Sequence, residues 1–129
     1  MPSIFSKIVA GEIPCAKVWE NDEFLAFLDI MPVTPGHTLV IPKEEIDYFF
    51  DIEDEKYKRL MMACKKVAGK IKKATGCKRV LVSVVGFEVP HAHVHLIPAN
   101  QLSDFPFPER DKAEPEELQV MPEKIQPVE

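Results

Sequence analysis

His91, His93 and His95 alternate with Ala92 and Val94 in the run His-Ala-His-Val-His-Leu-Ile-Pro at residues 91–98, which holds three of the protein's four histidines. An extended strand sends successive side chains to opposite faces. The three imidazoles then share one face, and Ala92, Val94 and Leu96 take the other. On a helix the same positions would fan out by roughly 100° per residue and would not converge. The run is therefore read as a strand with one chemically capable face and one core face.

The rest of the chain must supply the core under that strand. With 129 residues, 46% of them hydrophobic, it fits one compact domain. No apolar run reaches the ~18 residues of a membrane span. Residues 1–7 lack the basic start and apolar centre of a signal peptide, so a cytoplasmic protein is expected. Cys15, Cys64 and Cys77 are an odd number without a C-x-x-C spacing, which argues against a disulfide framework and a cysteine zinc site. The net charge of −5 sits entirely in residues 101–129, where Arg110, Lys112 and Lys124 face eight acids. The remainder is neutral and offers no basic footprint for duplex nucleic acid.

Local signals divide the chain. Ser3 caps a short helix over 4–10, which Gly11 ends. Strands are expected over 17–20 and 23–29, joined as a hairpin by Asn21-Asp22. Prolines break regular structure over 31–36, and a third strand runs 37–41, closed by Pro42. Leu60, Cys64, Val67, Ala68 and Ile71 form the apolar stripe of a long helix from about 52 to 74, stopped by Gly76. Residues 78–85 are rich in β-branched side chains and read as a strand. The sum is an α+β domain over 1–100, built on an antiparallel sheet of about five strands with one long and one short helix. Residues 101–129 read as a proline-rich acidic tail. In it Phe105 and Phe107 dock on the domain or a partner, and the last twenty or so residues are expected to be mobile.

Three uses compete for the histidine face. It could be a solvated sheet surface. It could hold zinc with an open coordination position, although no carboxylate or cysteine stands at a partner spacing. Or a neutral imidazole could act as a nucleophile, with neighbours that fix its tautomer and meet a phosphoryl group.

The run resembles the motif of the histidine triad (HIT) superfamily, His-φ-His-φ-His-φ-φ with φ apolar. The likeness continues in Ile4-Phe5-Ser6-Lys7-Ile8-Val9, Glu12-Ile13-Pro14, Phe27-Leu28-Asp29-Ile30-x-Pro32 and Pro35-Gly36-His37-Thr38-Leu39-Val40-Ile41-Pro42-Lys43. These blocks are most similar to the nucleoside-phosphoramidate hydrolase branch, and the match spans residues 3–98. The resemblance implies a HIT-like fold, a homodimer with a sheet continued across two chains, and hydrolysis of purine nucleoside 5′-monophosphate conjugates. P–N phosphoramidates are favoured over dinucleoside polyphosphates, and a nucleotide-binding module with weak or lost activity is a further alternative. It implies that His93 attacks the α-phosphate to form a nucleotidyl-histidine. His91, His95 and His37 then orient it and handle phosphate and protons. Asp29 corresponds to the acid that holds the ribose hydroxyls, and Phe5, Ile8, Phe27, Ile30 and Leu39 to the apolar clamp around the base. No metal is needed, though zinc or nickel could sit on the histidine cluster. Two positions depart from the branch. Its loop before the triad is longer and glycine-rich, with an Asn where Ser83 stands here and a hydroxyl where Glu88 stands. Glu88 is thus a different leaving-group device, a mark of an altered substrate, or a side chain that points away from the site. The cysteine pair that binds zinc in some bacterial relatives is absent, with Ser6 in that region.

Overall fold

The computed structural model describes residues 2–126. Five strands follow a short helix: α1 (Ile4–Val9), β1 (Lys17–Glu20), β2 (Phe24–Leu28), β3 (Thr38–Pro42), α2 (Asp54–Thr75), β4 (Arg79–Ser83) and β5 (Val94–Ala99), with α3 (Pro115–Ile125) last. The strands form one sheet in the order β1-β2-β3-β5-β4, and every neighbouring pair is antiparallel. The α+β class and the five-strand sheet agree with the sequence reading.

Each helix end has a local cause. The Ser3 side chain accepts from the Ser6 N–H at the start of α1. Glu53 caps α2 through the N–H groups of Glu55 and Lys56, and Gly76 closes it in the left-handed conformation, φ 70°. The apolar stripe of α2 buries Leu60, Cys64, Val67 and Ile71 against Phe24, Ala26, Val40, Val94 and Leu96 of the sheet. Fully burying a side chain the size of Leu60 or Val67 contributes about 1.5–3 kcal/mol. The opposite sheet face carries Leu25, Phe27, Leu39 and Ile41, which pack with Phe5 of α1. Period-two alternation in β2 and β3 thus feeds two cores, so these strands are buried along almost their whole length.

The tail differs from expectation. Residues 115–125 form a helix, with Pro115 in its first turn, Glu116 and Glu117 at its positive end and Lys124 at its negative end. Every residue of it is exposed. The helix forms although its N-cap Glu114 makes no side-chain capping bond and Pro122 lies inside it, and the anticipated pair of helices becomes three among the described residues. Residues 127–129 of the tail lie outside the described residues. Phe105 and Phe107 meet edge to face with centroids 4.7 Å apart, in a groove with Leu81 and Ala99 of β4 and β5. No helix among the described residues is long and apolar enough to cross a membrane.

Candidate active site

Sheet register brings the polar row together. Leu39 pairs with Phe27 on one side and His95 on the other, and His95 pairs with Ser83. Directly opposed residues share a face, so Phe27, Leu39, His95 and Ser83 form a line across the sheet on the α1 side. The histidine run is only partly a strand, because β5 begins at Val94 and His91 and His93 lie in its lead-in. Pro42 explains the early end of the ladder. It has no N–H to give, and its carbonyl is taken by His91 Nε2 at 2.7 Å. The Ala92 N–H goes instead to the Ile46 carbonyl at 2.7 Å. The alternation survives this change, since Ala92, Val94 and Leu96 join the α2-side core.

The three histidines divide their tasks. His91 is fully buried, and both ring nitrogens are used. Nε2 must donate to the Pro42 carbonyl, so Nδ1 accepts from the Ser3 hydroxyl at 2.8 Å. It therefore locks α1 to the end of β3 and has no nitrogen left for a phosphate, which corrects the expectation that it would bond phosphate oxygens. Its backbone carbonyl accepts from His93 Nδ1 at 2.8 Å. That bond puts the proton of neutral His93 on Nδ1 and leaves a lone pair on Nε2. Phe5 packs edge-on against the His93 ring, with centroids 4.9 Å apart, and fixes its plane.

His37 and His95 form a hydrogen-bonded pair. The Val33 N–H donates to His37 Nδ1 at 3.0 Å, so the proton of neutral His37 lies on Nε2. Nε2 then donates to His95 Nδ1 at 2.9 Å. The proton of neutral His95 is left on Nε2, which has no partner among the described residues. Gly36 sets the turn into His37 with φ 97°, where a Cβ would meet Thr75 Cγ2 at 3.0 Å and Pro98 Cγ at 3.2 Å. His37 itself precedes β3 rather than starting it, although its carbonyl still accepts from the Asp29 N–H at 2.9 Å. Burial lowers the pKa of His37, against the opposing pull of Asp29. Burial, aided by the neighbouring His93 and His37, pushes His95 down to about 4. Burial likewise lowers His91, partly offset by its bond to Pro42.

Asp29, His37 and His95 can each offer an atom within 4.8 Å of the others, the one group among the described residues with metal-ligand geometry. Their tautomers oppose such a site. A metal on His37 Nε2 would demand a proton on Nδ1, head-on to the Val33 N–H. The donor set fits a hydrogen-bonded imidazole pair beside a carboxylate better than a metal centre.

A cavity of about 310 Å³ opens on this face. Phe5, Ile8, Phe27, Leu39, Asp29, Ile30, Glu88, His93 and His95 all line it, so most of the residues singled out by sequence converge. Phe5, Phe27 and Leu39 are buried and form its floor, whereas Ile30 is 95% exposed and stands at its rim. Asp29 Oδ1 accepts from the Met31 N–H at 2.9 Å, and Oδ2 lies 3.6 Å from His37 Nε2. His37 and His91 stand behind the cavity wall. Ser83 is next to His95 across β4 but is outside the lining.

Sequence reasoning missed two features. Ile13, Pro14, Cys15, Met31 and Val89 also line the cavity, from loops without periodicity. Glu45 accepts from the Ser3 N–H at 2.6 Å and from the Ser6 hydroxyl at 2.7 Å, joining the His91 lock from 39 or more residues away. These bonds hold its carboxyl down to about 2. Only the N-cap role of Ser3 had a local signal.

A profile of the HIT domain matches residues 10–102. The chain belongs to the HIT domain family. Adenosine 5′-monophosphoramidase hnt1 of Schizosaccharomyces pombe is 41% identical over 103 residues, covering 76% of this chain and 74% of that protein. An uncharacterized HIT-like protein of Borreliella burgdorferi is 39% identical over 116 residues, 84% of each chain. The crystal structure of a HIT family member from Bacillus subtilis superposes with a TM-score of 0.87 at 36% identity, over 100% of this chain and 98% of that one. The HIT family comprises nucleotide hydrolases and nucleotide binders, which sets the coarse function of this member.

Proposed function

We propose that this HIT protein is a cytoplasmic, homodimeric hydrolase of purine nucleoside 5′-monophosphate conjugates, P–N phosphoramidates above all. The reading is carried by one observation: His93 donates through Nδ1 to a backbone carbonyl, which leaves the lone pair of the neutral ring on Nε2, and it lines a cavity that it shares with Asp29. A neutral imidazole in this tautomer presents a nucleophilic lone pair without a base to activate it. The S. pombe phosphoramidase relative supports the same chemistry.

In this mechanism Nε2 of His93 bonds to the α-phosphorus as the P–N bond to the amine breaks, and the amine leaves with a proton from solvent. The Nε2–H of His95, held in place by His37, donates to a phosphoryl oxygen as charge develops there. Asp29 Oδ2 accepts from the ribose hydroxyls, and the exposed Ile30 and Met31 cover the purine. Water then cleaves the P–Nε2 bond, releasing the nucleotide and neutral His93. The scheme needs no metal. The free edge of β4, with Val82 exposed, offers a strand for pairing with a second copy.

A rapid-mixing assay tests the reading with an AMP conjugate of a fluorescent amine. We expect a burst of amine and a trapped adenylyl group on His93. His93→Ala should lose turnover by at least about a thousandfold, the scale expected for removal of a catalytic nucleophile. Undiminished turnover by His93→Ala refutes the nucleophile.

A further inference from the structure

We propose that the Glu88 carboxylate at the mouth of the triad cavity selects conjugates whose leaving amine carries a second, positive charge, and rejects polyphosphate leaving groups. The inference rests on the reading of His93 as the nucleophile of P–N hydrolysis and names the substrate class of that same site.

On that reading the cavity receives a phosphate, yet among the described residues its lining carries no fixed positive charge. Its sixteen lining residues include two acids, Asp29 and Glu88, and no lysine or arginine. Its two histidines do not fill that gap. His93 must be neutral to attack, and His95 is kept neutral at pH 7 by burial. A single phosphoramidate charge can be met by N–H donors alone. A polyphosphate leaving group would bring several more negative charges into a site with no cation to receive them.

The two acids are not equivalent. Asp29 already accepts the Met31 N–H through Oδ1 and turns its other oxygen toward His37. Glu88 has no ion-pair partner among the described residues and is exposed, five positions before the nucleophile. A tight turn closed by the His91 N–H on the Val89 carbonyl, 2.8 Å, ties the segment that carries it to the buried His91, and Glu88 and Val89 both line the cavity. On the proposed reading the Asp29 carboxylate is taken by the ribose, which leaves the Glu88 carboxylate, in the same cavity as His93, as the acid free to meet the departing group.

In the step concerned, the P–N bond to the amine breaks with its electron pair going to nitrogen, which takes a proton. The new bond is P–Nε2 of His93. A diamine joined through one nitrogen keeps its other amino group protonated throughout, and Glu88 attracts that ammonium both in the bound conjugate and as the amine departs.

The experiment compares kcat/KM for three AMP derivatives at one ionic strength: a diamine phosphoramidate, the neutral alkylamine isostere, and a diadenosine polyphosphate. Wild type should prefer the diamine conjugate over its isostere and turn over the polyphosphate least. Glu88→Gln should shrink the diamine-to-polyphosphate ratio roughly tenfold, the combined size of one exposed attraction lost and one repulsion removed. Glu88→Lys should invert the preference, and added salt should weaken the wild-type ratio. Turnover of the amine conjugates with a ratio unmoved by either substitution overturns the role of Glu88 and leaves the hydrolase reading intact. No turnover of any of the three overturns both.

Discussion

Ser3→Ala probes the lock that holds the histidine run to α1. The Ser3 hydroxyl makes two bonds, accepting from the Ser6 N–H at 3.0 Å and donating to the buried Nδ1 of His91 at 2.8 Å. Loss of a serine N-cap costs about 1 kcal/mol. Stranding a buried acceptor adds roughly 1–2 kcal/mol, at the lower end if another donor can reach it. Such a donor is near, because Ser6 Oγ lies 3.4 Å from the same nitrogen. The expected loss is about 2–3 kcal/mol, which at a urea slope of about 1–3 kcal/mol/M lowers the midpoint by roughly 1 M with the slope unchanged. Ser6→Ala serves as the comparison. It removes an exposed bond to Glu45 and leaves both Ser3 bonds in place, so it should cost less than about 1 kcal/mol. Equal midpoints for the two variants would refute the assignment of His91 Nδ1 as an acceptor held by Ser3. Because the His91 carbonyl orients His93, the damage should also reach turnover, with nucleotide affinity less affected.

Three further outcomes follow from the geometry. Asp29→Ala should weaken AMP binding about tenfold by removing a charged hydrogen-bond acceptor; unchanged affinity by calorimetry would count against its ribose role. Stability should fall as pH drops below about 6.5, because burial holds the pKa values of His37, His91 and His95 below the usual 6.5, and His95 at about 4, so the unfolded chain takes up protons first. The contribution is complete above pH 6.5 and is lost as pH falls through the folded values; identical urea midpoints at pH 7 and pH 5 would contradict it. A maleimide should label Cys15, which lines the cavity, and spare Cys64, whose thiol burial pushes up to about 12. AMP should slow that labelling, and labelling indifferent to AMP would place the nucleotide elsewhere.

Much of this protein was legible from residue order because its elements are fixed by local rules. The Asn21-Asp22 turn and the flanking prolines bounded β2 and β3, and period-two alternation marked the two faces of the 91–97 run. Helical spacing marked α2, and Ser3 and Gly76 marked helix ends. The long-range likeness in motif blocks pointed to the same family that the domain profile and relatives then established. The third helix was hidden by the proline and acid content of the tail, although Pro115, Glu116 and Glu117 suit its first turn.

What alternation alone could not reveal was how three equivalent-looking histidines would differ. That difference comes from partners supplied by other elements. Pro42 and Ser3 consume both nitrogens of His91, a backbone carbonyl orients His93, and the Val33 N–H sets the proton on His37 and hence on His95. The sequence placed the imidazoles on one face, since strand geometry is local. Their tautomers, burial and access were decided by tertiary structure, because hydrogen-bond partners and desolvation come from residues up to 88 positions away.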